Sequence, residues 1–93
     1  MFERVLQRMR AKIQAQDYVM TVHAEEEMND DGYTLYDVEN GIVTGKVVER
    51  QQDHSTTEWK YCVQGETLSG SVIEIVAKFS PTGKLVIITV YTP

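Results

Sequence analysis

The spacing of hydrophobic residues changes once along the chain, near residue 46. Before that point apolar residues recur at helical intervals, and after it they alternate with polar ones. Phe2, Val5, Leu6, Met9 and Ile13 share one side of a helix predicted over about residues 2–16, with arginines and glutamines between them. Tyr18, Val19 and Met20 read as a short extended link. Thr21 can cap a second helix over about 22–30, which Asn29-Asp30-Asp31-Gly32 stops because glycine accepts the left-handed conformation a helix end needs. Thr34 and Asp37 have the spacing of a capping box, with Asp in place of Glu, and open a third helix ending near Gly45. Gly41 inside that helix lowers its propensity by about 1 kcal/mol.

Period-two alternation then predicts strands over about 46–52, 57–64, 71–79 and 84–92. Ser80-Pro81-Thr82-Gly83 between the last two is a hairpin turn signal. Ile73, Ile75, Ala77 and Phe79 form one wholly apolar face. Leu85, Val86, Ile87, Ile88 and Val90 are apolar on both faces, which suits a central strand. Trp59, Tyr61 and Val63 share a face opposite Lys60, Cys62 and Gln64. Helices first and strands afterwards predict one α+β domain over 1–93, helical to about 45 and a sheet from about 46. The N-terminal helices should pack on a roughly four-stranded antiparallel sheet.

Composition narrows the function classes. At 93 residues, 42% apolar and 25% charged, the chain can bury one core and is not of the disordered type. Its single cysteine, Cys62, forms no internal disulfide. The longest near-apolar run, Leu85 to Val90, is far too short to cross a bilayer, and Met1-Phe2-Glu3-Arg4 starts no apolar signal region. A cytoplasmic protein without a membrane partner is expected. The net charge of −5 disfavours RNA as a partner, since broad nucleic-acid binding needs excess cations. That charge is uneven: +2 over residues 1–20, −7 over 21–53 and zero over 54–93. The acidic stretch reads as a solvated helix face or as a docking surface for a basic partner.

Few residues offer chemistry. His23 stands in the first turn of the second helix, and its imidazole is a usable general acid or base near neutral pH. It also reads as an ordinary helix-start residue bonded to a neighbour. Glu27 lies one turn further on the same helix face, but no third ligand accompanies the pair, so no metal and no cofactor are expected. Cys62 reads as a buried structural thiol, and no phosphate-cradling glycine loop is present. His23, Arg50, Lys60, Tyr61, Thr89 and Tyr91 are the candidates for a shared cleft. Such a set could run metal-free RNA cleavage: one group activates a ribose 2′-hydroxyl, another protonates the leaving oxygen and a cation stabilises the phosphorane.

Three stretches in order, His23-Ala24-Glu25-Glu26-Glu27-Met28, Gly32-Tyr33-Thr34-Leu35-Tyr36-Asp37-Val38 and Ile88-Thr89-Val90-Tyr91, resemble a prokaryotic domain family of unknown function. That family carries a His-Ala-x-x-Arg-Met helix, a short Gly-Ile-Ser/Thr-x-x-Asp-Val helix and a terminal Thr-Val-Tyr strand. The resemblance covers about residues 18–92. It implies a fold like the RelE/ParE and MqsR toxins, an antitoxin protein as partner and ribonuclease activity, with His23, Thr89 and Tyr91 on the matching positions. Glu27 stands where the family pattern has Arg, a reversal of charge. Two functional expectations follow: a toxin-like RNA endonuclease, or a non-catalytic module. The latter would bind a protein partner, or a second copy as a homodimer, through the first helix or the acidic surface.

Overall fold

A computed structural model describes all 93 residues as three helices packed on one face of a five-stranded open sheet. Helix α1 spans Glu3–Gln14, β1 Tyr18–Met20, α2 Val22–Asp30 and α3 Leu35–Thr44. Strands β2 Lys46–Gln52, β3 Trp59–Glu66, β4 Val72–Phe79 and β5 Leu85–Tyr91 follow. The strand order is β1-β5-β4-β3-β2. The mixed α+β class matches the alternation pattern, but the sheet has five strands and is not wholly antiparallel. Tyr18–Met20, read from sequence as a link, pairs in parallel with Leu85–Ile87. Three residues carry too little pattern to announce a strand; the partner strand makes it one. Accordingly β4 is the middle strand. The doubly apolar β5 lies between it and β1.

The helix signals hold in place. The Thr21 hydroxyl accepts the Ala24 N–H at 3.1 Å, and Gly32 ends the segment at φ +73°. Thr34 and Asp37 form the reciprocal capping box, and the second carboxylate oxygen of Asp37 accepts the Leu68 N–H at 3.0 Å. Those backbone donors, that of Thr34 foremost, hold the Asp37 carboxyl below the usual carboxylate range. Helix α3 is therefore tied by one residue to the β3–β4 loop. Its C-terminal carbonyls are covered from α1, where Arg10 donates to Gly45 O at 2.9 Å and to Ile42 O at 3.4 Å.

A single core lies between helices and sheet. Leu6, Met9 and Ile13 of α1 meet Val38 and Ile42 of α3 and the inward residues Val63, Ile73, Ile75, Leu85 and Ile87. Glycine explains how closely α3 lies on the sheet. A Cβ on Gly65 would stand 1.9 Å from the Gly41 carbonyl oxygen, and one on Gly41 would stand 2.7 Å from Ile73 Cγ2 and Ile75 Cδ1. Gly41, a weak point in helix propensity, is thus the contact surface of the helix.

Two β-bulges break the alternation. Val48 is the extra residue in β2, between the pairs Val47↔Val63 and Glu49↔Cys62. Ile88 is the extra residue in β5, between Ala77↔Ile87 and Val76↔Thr89. Each bulge moves the residues beyond it to the opposite face. Glu49, Thr89 and Tyr91 thereby leave the helix-covered face, where strict alternation with Val47, Leu85 and Ile87 would have put them.

The Gly41–Gly65 contact gives a graded expectation. Gly65→Ala should lower stability by about 1–3 kcal/mol, because backbone itself obstructs the methyl group. Gly41→Ala should cost less, since the ends of two isoleucine side chains can yield. Equal urea midpoints for wild type and Gly65→Ala would show the close approach to be absent.

Candidate functional site

The six residues proposed from sequence do not form one cluster. Arg50 pairs with Tyr61 across β2 and β3, and Tyr61 pairs with buried Ala77, so both face the helices. The Arg50 guanidinium stacks 4.0 Å from the Trp59 ring centre and 5.7 Å from that of Phe2. The Phe2 and Tyr61 rings meet edge to face at 6.3 Å. This is a cation–π and aromatic seam under the start of α1, an anchoring arrangement.

His23 stands at the edge of β5, with 67% of its side chain exposed and Nε2 3.2 Å from Glu27 Oε1. That same oxygen accepts the Val90 N–H at 3.1 Å. Beyond Ile87 the edge of β5 has no paired strand, because β1 stops at Met20. Helix α2 closes the gap with side chains: the Thr21 hydroxyl donates to Ile88 O at 3.1 Å, and Glu27 takes the next free donor. A carboxylate at position 27 therefore satisfies a β5 N–H that an arginine could not, since guanidinium is donor-only.

Lys60, Thr89 and Tyr91 share the other face of the sheet, which carries no helix. Glu49, Gln51, Lys60, Cys62, Val76 and Tyr91 line a cleft of about 160 Å³ there. Gln51 and Lys60 also border a wider polar cavity of about 640 Å³ beside the β2–β3 turn, with Gln52 and His54 on its wall. Lys60 makes no direct salt bridge, and the nearby carboxylate that its charge acts on is Asp53, on the wall of the wider cavity. Glu49 accepts from the Gln51 amide at 2.9 Å. Sequence reasoning named Lys60 and Tyr91 but passed over Glu49, whose position in a polar run carries no signal until the Val48 bulge turns it outward.

Behind the cleft is a small polar network. The Tyr91 hydroxyl donates to Glu74 Oε1 at 2.5 Å, the Cys62 thiol donates to the same oxygen at 3.4 Å, and Gln64 donates to Oε2 at 3.0 Å. These donors, Tyr91 first, hold the Glu74 carboxyl below its ordinary value. The carboxylate in turn raises the Tyr91 phenol, so Tyr91 stays neutral. Burial pushes the Cys62 thiol up to about 11, making it a poor nucleophile at neutral pH. The structural reading of Cys62 stands, although its thiol also joins a polar network. No group of three or more His, Cys, Asp or Glu side chains is placed to hold a metal ion. No helix is long and apolar enough to cross a membrane.

A family model described as a domain of unknown function, DUF4258, matches residues 20–92. The chain belongs to that family. The match begins within β1 and ends just after β5, so α1 lies outside the family domain although it supplies three core residues. In this DUF4258 member, the bulged strands, the open cleft and the α2 clasp on β5 all fall inside the matched region. No curated protein and no solved structure matches the chain.

Two expectations follow. Glu27→Ala should cost about 1 kcal/mol by stranding the Val90 N–H, whereas Glu27→Gln, which keeps an acceptor, should retain most of that stability. Equal urea midpoints for the two variants would refute the clasp. Separately, Cys62 and Tyr91 hold their protons more tightly folded than unfolded. Their contribution is complete below the ordinary values and is lost as pH rises, for Cys62 from 9.0 through about 11. The urea midpoint of the wild type should fall over that range more steeply than that of a Cys62→Ala/Tyr91→Phe variant; parallel curves would contradict the network.

Proposed function

We propose that this DUF4258 chain is a toxin-like, metal-free RNA endonuclease with an architecture akin to RelE, ParE and MqsR, and that an antitoxin protein is its partner. The observation that carries this reading is the convergence of Glu49, Lys60 and Tyr91 on one cleft of the open sheet face. They supply the three functions that cleavage through the ribose 2′-hydroxyl requires. The Glu49 carboxylate takes the 2′-hydroxyl proton as the 2′-oxygen attacks phosphorus. The Lys60 ammonium offsets the charge gathering on the phosphorane. The Tyr91 hydroxyl turns from Glu74 and gives its proton to the departing 5′-oxygen as that P–O bond breaks. The products are a 2′,3′-cyclic phosphate and a 5′-hydroxyl, and the proton held by Glu49 returns through water to the Tyr91 phenolate, which restores both groups.

Within this proposal the roles differ from those read along the chain. Glu49 replaces His23 as the base, Lys60 alone holds phosphate, Thr89 borders the site on the same face, and Arg50 and Tyr61 brace α1. A cleft lined by one lysine, in a chain of net charge −5, gives little nonspecific attraction for a polyanion. Substrate would therefore be a short single-stranded segment gripped locally, with a shallow dependence on salt. The cavity beside Gln52 and His54 leaves room for a flanking nucleotide.

A second reading keeps the fold without the chemistry, as a protein-binding module. It is favoured by the engagement of Arg50 in aromatic stacking and of Glu27 in the β5 edge, which leaves Lys60 as the cleft's cation.

Cleavage of a labelled single-stranded RNA oligonucleotide in the presence of EDTA separates the two. Glu49→Gln and Lys60→Met should each reduce the rate about 100-fold or more, and a 2′-deoxy sugar at the scissile position should abolish it. Absence of cleavage by the wild type on free and ribosome-bound RNA would remove the endonuclease reading.

A further inference from the structure

The strongest surface feature outside the cleft lies on the helix-bearing side of the molecule, at the free edge of β1. Gln16, Val19, Met20, Glu25, Leu35 and Tyr36 border a groove of about 410 Å³ there, together with the Tyr18–Glu39 pair. A second groove of about 450 Å³, reaching Val43 and Leu68, adjoins it and shares Gln16, Tyr36 and Glu39. Exposed apolar side chains gather in these two grooves: Leu35, Tyr36, Val43 and Leu68 are four of the ten large hydrophobic residues exposed anywhere on the chain. Scattered singly they would need no explanation, but contiguous apolar surface marks an interaction site.

The backbone adds a directional element. The Thr21 N–H bonds Ile87 O, and Asp17 O receives the Leu85 N–H, so alternate residues of the segment face β5. The N–H and C=O groups of Tyr18 and Met20 consequently point out of the sheet into the groove, with no strand beyond them. At the opposite edge, β2 is blunted by the Val48 bulge and by charged and amide side chains. The β1 edge carries no such protection beyond its shortness. Its rim is acidic: Glu25 stands on one side and Glu39 on the other, where Glu39 is fixed by the Tyr18 hydroxyl at 2.5 Å.

We propose that this groove binds an extended segment of a different protein, with alternating apolar and basic side chains, by strand addition to β1. Its main chain pairs with Tyr18 and Met20. Its apolar residues cover Leu35 and Tyr36, and its Lys or Arg residues reach Glu25 and Glu39. Charge selects the occupant. A second copy would bring like carboxylates together across the interface, within a stretch that already carries −7 over residues 21–53. The site shares no residue with the open-face cleft, so its occupancy can be tested independently of RNA cleavage.

The test is a ¹⁵N chemical-shift titration of the full chain with a capped hexapeptide alternating valine and lysine, against one alternating valine and glutamate. The lysine peptide should shift the amides of Tyr18, Met20 and the first turn of α3 and slow amide exchange at Tyr18 and Met20. Glu25→Lys and Tyr36→Ala, both at exposed positions, should each weaken it roughly tenfold with the spectrum otherwise folded. Equal binding of the glutamate peptide, or shifts confined to other surfaces, would overturn the proposal. So would concentration-dependent shifts of these same amides without peptide, which would make the occupant a second copy.

Discussion

The contact between α3 and β3 is the constraint on which the rest of the molecule depends. Helix and strand approach until the Gly41 carbonyl lies where a side chain on Gly65 would begin. That separation leaves no room for β-carbons, and it lets Ile42 and Val38 reach the sheet while Asn40 and Thr44 bond the end of β3. The Asn40 amide donates to Glu66 O at 2.9 Å, and Thr44 receives the Glu66 N–H at 3.0 Å. With α3 fixed, Arg10 finds its terminal carbonyls and α1 closes the core. The polar bonds set the register of the helix on the sheet, and the apolar burial supplies most of the stabilisation.

A sheet covered on one face leaves its other face open, and the two bulges decide what appears there. Without the extra Val48, Glu49 would turn toward α1 and Arg50 toward the open side. Without the extra Ile88, Tyr91 would enter the core side and lose Glu74. A one-residue shift in each strand therefore exchanges a carboxylate, an arginine and a phenol between the faces. The same shift in β5 buries Val90, whose N–H meets Glu27, so the α2 clasp and the open-face network depend on one backbone irregularity.

The acidity that looked like an obstacle to nucleic-acid chemistry divides into separate physical roles. Asp37 caps α3 and holds the β3–β4 loop, Glu27 completes the β5 edge and Glu39 fixes Tyr18. Glu49 is turned into the cleft, and Glu25 remains on a groove rim. Charge counted along the chain treats these residues alike. Their hydrogen-bond partners distinguish them, and those partners come from strands distant in sequence.

Local sequence determined the helices and their ends, because caps and apolar spacing act over a few residues. Thr21, Thr34, Asp37 and Gly32 perform the roles their positions announce. Alternation likewise determined the four longer strands and the α+β class. Tertiary structure alone decided that Tyr18–Met20 is a strand, since three residues gain that conformation only from pairing with β5. It also decided which candidates meet. His23, Arg50 and Tyr61 are separated from Lys60, Thr89 and Tyr91 by strand order and by bulges, and a bulge leaves no mark in a pattern of period two. The physical reason is one of range: capping and amphipathicity are short-range properties of the chain, whereas the facing of a side chain depends on register with a partner strand folded from elsewhere.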